Sequence, residues 1–503
     1  MKNYIWLFAA SMALMASCSN DDDITNNIPP TVTDDDWISP DGRVIVQLGG
    51  SGSLSGGAVV TRGPVEGTDG TQVKDFGIFA LGYNNNSGVP GTPADWSADM
   101  ARTGAGSWWN NDKNQCLLLN VRGFGAKPAS DSDLNDANDF KISLCPPDYE
   151  AAALPGESQV YYYPIQYNYF YSFYGYTPYQ RSNYATSAPA TSPLSVISNK
   201  ITVDIPLTGA QDVMWGQNRT TSKDTDGNTV YVANDHPQEA DIRNDKDNPA
   251  SKETVSGYNA RFIRKVKYHN ELVGSSSTDQ RKYIPRLVFD HKLTRLNFFV
   301  VPAEDQCQED KEAVAGIKET NGNYTTEPKI KVVNIELMNQ YETARLDVEK
   351  GTLAKAGNQK SFKMLLCGTD GKPAKDETGA LDANGNVLDA VIDSTKIAIF
   401  PDDAESPKCD GYIMSWPSNT EILKLKVTLR VNTTGLSTAV PKDQTVYLYL
   451  DPQKMANKDG KSYGFLAGHA YNIKIGIYAI QEVMVDAMLT DWVQDNDYTL
   501  PVE

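Results

Sequence analysis

Histidine is scarce in this chain of 503 residues, which has only four, at positions 236, 269, 291 and 469. No two of them stand in an HExxH motif or at another spacing typical of metal ligands. His291 lies on an apolar face, where a histidine is more often part of a core than a catalytic base. The sequence also lacks a G-x-S-x-G motif, a P-loop and the glycine-rich fingerprint of dinucleotide-binding folds. We therefore predict no enzymatic activity, no metal site and no cofactor.

Positive charge is also in short supply. The chain has 46 Lys and Arg against 64 Asp and Glu, a formal net charge of -18. Such a balance repels nucleic acids and anionic membrane surfaces. Beyond the N-terminus, no segment approaches the roughly 20 apolar residues that cross a bilayer as a helix. We therefore predict no nucleic-acid partner, and no membrane attachment other than through a lipid.

Cysteine is limited to six residues, without a CxxC pair or a nearby histidine. Neither a zinc site nor a redox motif is therefore indicated. One of the six, Cys18, belongs to the N-terminal signal, and the odd number that remains leaves at least one thiol outside any intramolecular disulfide. We expect the five remaining cysteines to be small buried side chains, and one disulfide among them is the alternative: Cys116, Cys145, Cys307, Cys367 and Cys409.

The N-terminus reads as a secretion signal. A single positive residue, Lys2, precedes an apolar run from Ile5 to Met15 that is too short to span a bilayer. The run ends in LMASC, which is similar to a bacterial lipobox with Cys18 as the lipidated residue, although lipoboxes usually carry Leu where Met15 stands. We predict a signal peptide over 1–17 and a lipidated tether over 18–43. A plain signal peptide cut nearby is the alternative.

Short runs of alternating apolar and polar residues dominate the rest of the chain. The clearest is Leu423 to Val431, in which apolar residues alternate with Lys, Thr and Arg. One apolar face and one polar face are typical of antiparallel sheets packed on a core. The pattern changes parity near Thr294-Arg295, which predicts a bulge or a strand that crosses between sheets. We predict an all-β fold of two antiparallel sandwiches, over 44–302 and 303–503.

Two strands, one near each end, stand apart from this pattern. Val44 to Leu48 predicts a short strand, and the Gly/Ser run after it, Gly49 to Gly57, is typical of a flexible tether. Arg62-Gly63 follows, so this first strand, over 44–62, could be cut away; an ordinary first strand with a glycine-rich loop is the alternative. The last strand, over 482–492, has one apolar face: Val483, Val485, Ala487 and Leu489.

Two further segments have unusual composition. Tyr161 to Tyr184 holds ten of the 26 tyrosines. It predicts either an exposed adhesive platform or a hairpin whose aromatic residues pair across strands. Met214 to Thr278 is mostly polar and charged and predicts long surface insertions. The candidate adhesive residues are Tyr161, Tyr163, Tyr169 and Tyr171.

In their order along the chain, these features resemble the fimbrillin-like pilus subunits, Mfa-like branch, of Gram-negative anaerobes. The resemblance spans nearly the whole mature chain, and no single motif in it is specific. Its motifs, after the lipobox, are the strand before Thr61-Arg62-Gly63, then FGIF at Phe76, SFYGYTPY at Ser172, DVMWG at Asp212, F-x-H-x-L from Phe289 to Leu293, AGHAYNIKI at Ala467, and the closing Asp491-Trp492.

The resemblance implies two tandem transthyretin-like β-sandwiches, no enzymatic site and a place in a cell-surface fimbrium. It further implies an outer-membrane lipoprotein precursor with its lipid on Cys18, cleaved between Arg62 and Gly63. Other fimbrial subunits would be partners by strand exchange, with 482–492 as the donor strand. The apparent insertions favour a tip or accessory subunit that adheres to a host or bacterial surface ligand. The alternative is an outer-membrane lipoprotein that binds glycan through the tyrosine run.

Overall fold

The computed structural model describes residues 38–39, 42–52, 74–86, 89–94, 96, 115–126, 139–145, 160–164, 169–181, 194–197, 200–223, 229–233, 238–243, 245–273, 284–302, 330–366, 411–431, 442–454, 464–477 and 483–490.

The first half of the chain contains thirteen strands and a helix among these residues. They are β1 (Leu48–Gly52), β2 (Lys74–Asn86), β3 (Val89–Pro93), β4 (Cys116–Ala126), β5 (Asp139–Leu144), β6 (Tyr169–Thr177), β7 (Leu194–Ile197), β8 (Lys200–Pro206), β9 (Met214–Lys223), β10 (Thr229–Ala233), β11 (Gln238–Arg243), β12 (Lys252–Ser256), α1 (Ala260–Val273) and β13 (Arg286–His291).

The remaining described strands follow from residue 294 onward. They are β14 (Thr294–Pro302), β15 (Ile330–Asp347), β16 (Thr352–Lys363), β17 (Leu365–Leu366), β18 (Gly411–Ser415), β19 (Leu423–Val431), β20 (Lys442–Leu450), β21 (Ala470–Ile477) and β22 (Val483–Thr490). The all-β fold class is thereby confirmed, whereas the two tandem transthyretin-like sandwiches stay a prediction. No helix among the described residues is long and apolar enough to cross a membrane.

Seven strands of the first half close into a ring. The order β9-β13-β1-β5-β4-β2 is joined at its ends by β6, which pairs with both β2 and β9. Strands β3 and β10 extend this nine-stranded sheet beyond the ring. The apolar side chains inside the ring, among them Phe76, Phe140 and Phe289, form the first core. Because a closed ring has no free sheet edge, each of its seven strands has a partner on both sides.

The second core lies between two separate sheets. One has the order β17-β18-β14-β21-β22, and the other has the order β20-β19-β15-β8-β7 with β16 paired to β15. Side chains from both sheets share one cluster, for example Leu296 and Ile473 from the first sheet with Ile335 and Val427 from the second. Alternate residues of β19 are buried, as its sequence pattern predicts.

The parity change near Thr294-Arg295 corresponds to a crossing between sheets. β13 belongs to the ring, and β14, which starts three residues after β13 ends, belongs to the five-stranded sheet of the second core. β7 and β8 also precede residue 303 yet lie in the six-stranded sheet. Strands from both sides of residue 303 therefore share sheets, and the division into domains at this residue stays a prediction.

The prediction of surface insertions over Met214 to Thr278 is wrong for strand β9 and helix α1, whereas residues 246–250 are exposed. β9 is part of the ring, and α1 buries Phe262, Ile263 and Val266 in the first core. These three positions follow helical spacing, but flanking Arg and Lys residues obscure the apolar stripe. The Asn259 side chain accepts the backbone N–H of Phe262 at 2.9 Å and caps the start of the helix.

Candidate functional site

Strand β1 occupies a slot in the ring between β13 and β5. It runs parallel to β13, with Gly50 opposite Leu287, and antiparallel to β5, with Gly50 opposite Phe140. The Gly49 N–H also donates to the Pro285 carbonyl at 3.0 Å. Without β1, both neighbouring strands would have an edge of unpaired backbone groups.

The residues before β1 extend this slot. The Tyr163 N–H donates to the Val44 carbonyl at 2.9 Å, and the Val46 N–H donates to the Tyr161 carbonyl at 2.8 Å. Val44, Val46 and Leu48 are all buried in the first core. The predicted segment Val44 to Leu48 is thus extended and buried, although the regular strand starts only at its last residue.

The strand continues into the glycine run, so the prediction of a flexible tether from Gly49 onward is wrong as far as Gly52. The reason lies across the slot at Phe140, whose ring packs with Phe76 at a centroid distance of 5.6 Å and with Phe289 at 6.1 Å. A Cβ on Gly50 would lie 2.3 Å from that ring. Glycine is needed here because the aromatic stack occupies the side-chain position.

The structure describes only one of the two arginines that could be the cleavage site. Cys18, Arg62 and Gly63 lie outside the described residues. Arg43 is exposed, and its guanidinium carbon lies 3.9 Å from the ring centroid of Tyr162. The backbone on either side of the Arg43–Val44 bond is held in place, because the Arg43 carbonyl accepts the Ser39 N–H at 2.8 Å and Val44 is 1% exposed.

The exposed tyrosine platform is wrong for three of its four residues. Tyr161, Tyr163 and Tyr171 are buried in the first core, and Tyr169 is partly buried against both cores. Residues 170–177 of β6 are buried on both faces of the strand. Tyr171 and Phe173 face the first core, whereas Tyr174 and Tyr176 face the second. A strand between two cores needs large apolar side chains on both faces, which explains the run.

Several of these tyrosines form hydrogen bonds through their hydroxyls inside the protein. Tyr161 donates to the Cys145 carbonyl at 2.8 Å. The Tyr83 and Tyr174 hydroxyls lie 2.9 Å apart, and Tyr83 also donates to Glu349 at 3.3 Å. Burial raises the pKa of Tyr174 to about 12 and the pKa of Tyr83 well above its usual range. The hydrogen bond from Tyr83 to Glu349 connects the ring to the turn between β15 and β16.

The candidate donor strand is an edge strand in its own chain. β22 follows β21 at the end of the five-stranded sheet and pairs with it antiparallel, with Ala487 opposite Ile473. The side chains of Val483, Val485, Ala487 and Leu489 are outside the described part of the structure. Within its sheet, the backbone of β22 is paired along one edge only.

The family-like motifs come together at the junction of the two cores. FGIF, SFYGYTPY, DVMWG and F-x-H-x-L lie on the adjacent strands β2, β6, β9 and β13. His291 is buried, and its Nδ1 lies 2.9 Å from Asp212 of DVMWG. This confirms that His291 is a core residue. The AGHAYNIKI segment reaches the same junction, where the Arg295 N–H donates to the His469 carbonyl at 3.0 Å.

The cysteine prediction is confirmed where it can be checked, since Cys116 and Cys145 are both buried. Cys307, Cys367 and Cys409 fall outside the described ranges. Within those ranges, no three His, Cys, Asp or Glu side chains come together as metal ligands would.

One surface group was missed in the sequence. Tyr447 and Tyr449 on β20 are 47% and 61% exposed, and the Lys424 ammonium lies 4.2 Å from the ring centroid of Tyr447. The alternation of Lys442 to Leu450 gives the signal, because both tyrosines fall on the face opposite the buried Leu448 and Leu450.

No protein-family model matches the chain, and neither does any curated protein. Among solved structures, the chain is similar to a candidate cell adhesion protein of Bacteroides uniformis, with 15% identity, a TM-score of 0.35, and coverage of 90% of this chain and 99% of that one. A candidate cell adhesion protein of Parabacteroides distasonis gives 8%, 0.37, 90% and 98% for the same quantities. The fimbrial anchor protein Mfa2 of Porphyromonas gingivalis gives 7%, 0.29, 89% and 98%.

These structural neighbours are cell adhesion and fimbrial proteins, the kinds of protein that the sequence resemblance names. With TM-scores below 0.5, the similarities carry no argument about the fold or the activity of this chain. What can be argued about function rests on its own residues.

Proposed function

We propose that the protein is a non-enzymatic structural subunit of a cell-surface fimbrium, assembled by strand exchange and contributing to adhesion. The carrying observation is β1, a strand of sequence LGGSG that completes the ring between β13 and β5. Three of its five residues are glycine, so it contributes few side-chain contacts to the slot it fills. A neighbouring subunit's strand that carries a small residue opposite Phe140 and apolar residues on either side could complete the ring in the same place.

The donor in this proposal is the strand over 482–492. Val483, Val485 and Ala487 match Val46, Leu48 and Gly50 if the donor enters parallel to β13. In that register the smallest side chain of the donor face meets Phe140, whose ring must turn aside for one methyl group. Because each subunit would then donate to the next in a head-to-tail manner, the assembly would grow as a filament.

Removal of β1 is proposed to follow cleavage after Arg62. A protease binds its substrate as an extended, accessible segment, and the backbone at Arg43–Val44 is held by Ser39 and by the burial of Val44. Arg62→Ala should therefore prevent cleavage of the folded protein by an arginine-specific protease, whereas Arg43→Ala should leave it unchanged. The opposite pattern would place the cut at Arg43.

The first measurement is the N-terminal residue of the protein in material sheared from the cell surface, determined by mass spectrometry. We expect Gly63, with the segment over 44–62 absent. A lipidated Cys18 with that segment still attached would contradict polymerisation. It would instead favour the alternative of an anchored outer-membrane lipoprotein that binds glycan.

Strand exchange itself can be tested with two variants of the proposed donor. Ala487→Leu puts a large side chain against Phe140 and should reduce polymer formation by protease-treated subunits at least tenfold. Met488→Leu changes the opposite face of the same strand and serves as the matched control. Equal polymerisation of the two variants would contradict the proposed register.

A tip or accessory position is proposed within the fimbrium. Supporting it, β11, β12 and α1 form a layer that packs on the first core outside the ring strands. A repeated stalk subunit has no evident need of such a layer. Immunogold labelling should mark fimbrial ends or scattered sites, and continuous labelling along the shaft would rule the position out.

A further inference from the structure

We propose that the outer face of the six-stranded sheet carries a binding site for an acidic saccharide, built from Tyr447, Tyr449, Lys424 and a neighbouring cleft. The site is distinct from the buried tyrosine run and from the β1 slot. It would serve adhesion whether or not subunits exchange strands.

The aromatic part of the site is a pair of exposed tyrosines. Tyr447 and Tyr449 stand two residues apart on β20 and therefore point from the same face of the sheet. Neither hydroxyl makes a hydrogen bond within the described part of the chain. Exposed tyrosine rings with free hydroxyls are typical of binding surfaces. Their faces suit the C–H face of a pyranose ring, and their hydroxyls suit its polar edge.

Lys424 gives this pair a positive charge. Its ammonium lies 4.2 Å from the Tyr447 ring centroid and 5.8 Å from that of Tyr449. No described carboxylate lies within ion-pair distance of it. The two nearby lysines differ, because Lys426 pairs with Glu336 at 3.3 Å and Lys355 pairs with Glu421 at 2.5 Å. An unneutralised ammonium beside two aromatic faces favours a ligand that carries a carboxylate.

A cleft next to Lys424 provides the polar part of the site. β15 pairs with β19 up to Leu337 and with β8 from Thr343 onward, and a bulge with Asn339 at φ 58° lies between. A cleft of about 210 Å³ opens where the two partner strands separate, with Lys424 in its wall. The amides of Asn339 and Gln359, which also line it, make no side-chain hydrogen bond among the described residues. They are available to bind sugar hydroxyls.

This combination favours a saccharide over other ligands. A nucleic acid would meet a chain with a net charge of -18. A large apolar partner would leave the amides and the ammonium without hydrogen-bonding partners. An acidic sugar satisfies all three elements, with its ring on tyrosine, its carboxylate on Lys424 and its hydroxyls in the cleft.

The test is a titration of the purified full chain with sialyllactose and with a galacturonate trimer, with lactose and maltotriose as neutral probes. We expect saturable binding of at least one acidic probe. Tyr449→Ala and Tyr447→Ala should each weaken that binding at least tenfold, and Lys424→Gln should remove the preference for acidic over neutral probes.

Tyr268→Ala is the matched control, because Tyr268 on α1 is 37% exposed and lies away from this face. It should bind like the unchanged protein, and thermal melting should show all variants folded. Absence of binding to every acidic probe would overturn the proposal, as would equal weakening by Tyr268→Ala. The proposal would also be overturned if the tyrosine variants formed less polymer but bound the acidic probes normally, because this would assign the tyrosines to a protein interface. Because these titrations use the monomer, their failure would leave strand exchange untouched.

Discussion

Strands β6 and β19 are both nine residues long, yet β6 is buried on both faces and β19 on one face only. β19 lies on one core, and its buried side chains alternate with partly exposed ones. In β6 every residue after Tyr169 is buried, because the strand lies between the first core and the second. Both cores combine aromatic rings with aliphatic side chains. In several places where a ring lies across a neighbouring strand, that strand carries glycine, as at Gly50 beside Phe140 and at Gly77 beside Tyr176.

The largest effect should come from filling such a glycine position. A Cβ on Gly77 would lie 2.1 Å from the Tyr176 ring and 2.6 Å from Asn120. Gly77→Val should therefore cost about 3 kcal/mol or more of the free energy of unfolding, measured by urea denaturation. Gly49→Ala is the matched control, since its Cβ would meet only the Phe140 carbonyl at 3.8 Å. Similar losses in both variants would mean that the Tyr176 ring moves aside for the added side chain, and would contradict the prediction.

The second largest effect should appear at alkaline pH. Burial raises the pKa of Tyr174 to about 12, and the pKa values of Tyr83 and Tyr163 are also raised. The unfolded chain loses these protons above its ordinary pKa of about 10, whereas the folded chain keeps them. The stability contribution is therefore complete below pH ~10 and is lost between pH ~10 and 12, by roughly 2–3 kcal/mol for Tyr174 alone. Urea denaturation at pH 8 and pH 11 measures about half of this loss, and Tyr174→Phe should reduce it.

An intermediate effect should come from the contact between the ring strands (the first region) and the two sheets of the second core (the second region). The Trp215 indole donates to the Val348 carbonyl at 2.8 Å, in the turn between β15 and β16. Trp215→Phe leaves that carbonyl without its indole donor and should cost about 2 kcal/mol. In Trp416→Phe the lost bond, 3.2 Å to the Tyr341 carbonyl, lies within the second region. If the first variant alone separates thermal unfolding into two transitions, Trp215 couples the regions; a single transition in both would argue against this.

The smallest effect should come from a surface ion pair of the second region. Arg345 on β15 contacts Asp204 on β8 with Nε 2.7 Å from the carboxylate, and the two side chains are 52% and 34% exposed. Exposed pairs of this kind contribute little because water screens them. Arg345→Ala should change the free energy of unfolding by less than about 1 kcal/mol. A loss above 2 kcal/mol would show that the β8–β15 contact depends on charge.

The same contrast explains what could be predicted from the sequence. β19 was predictable because a strand with one wet face alternates visibly, and the crossing near Thr294 was predictable because it shifts that alternation. β6 lacks alternation, so its tyrosines suggested a surface platform. Glycine carries no hydropathy signal, so β1 was placed four residues too early. The apolar stripe of α1 was hidden among the charged residues beside Phe262.

The parallel pairing of β1 with β13 also has a consequence for the order of folding. Residues 53–285 separate the two strands, so Gly49 meets Arg286 only after that whole loop has been closed. Closing long loops costs entropy and slows the formation of distant contacts. Because a chain is synthesised from its N-terminus, β1 is made first yet must wait for β13. Until then β5 is the only ring neighbour that β1 can pair with, and the ring stays open between β1 and β13.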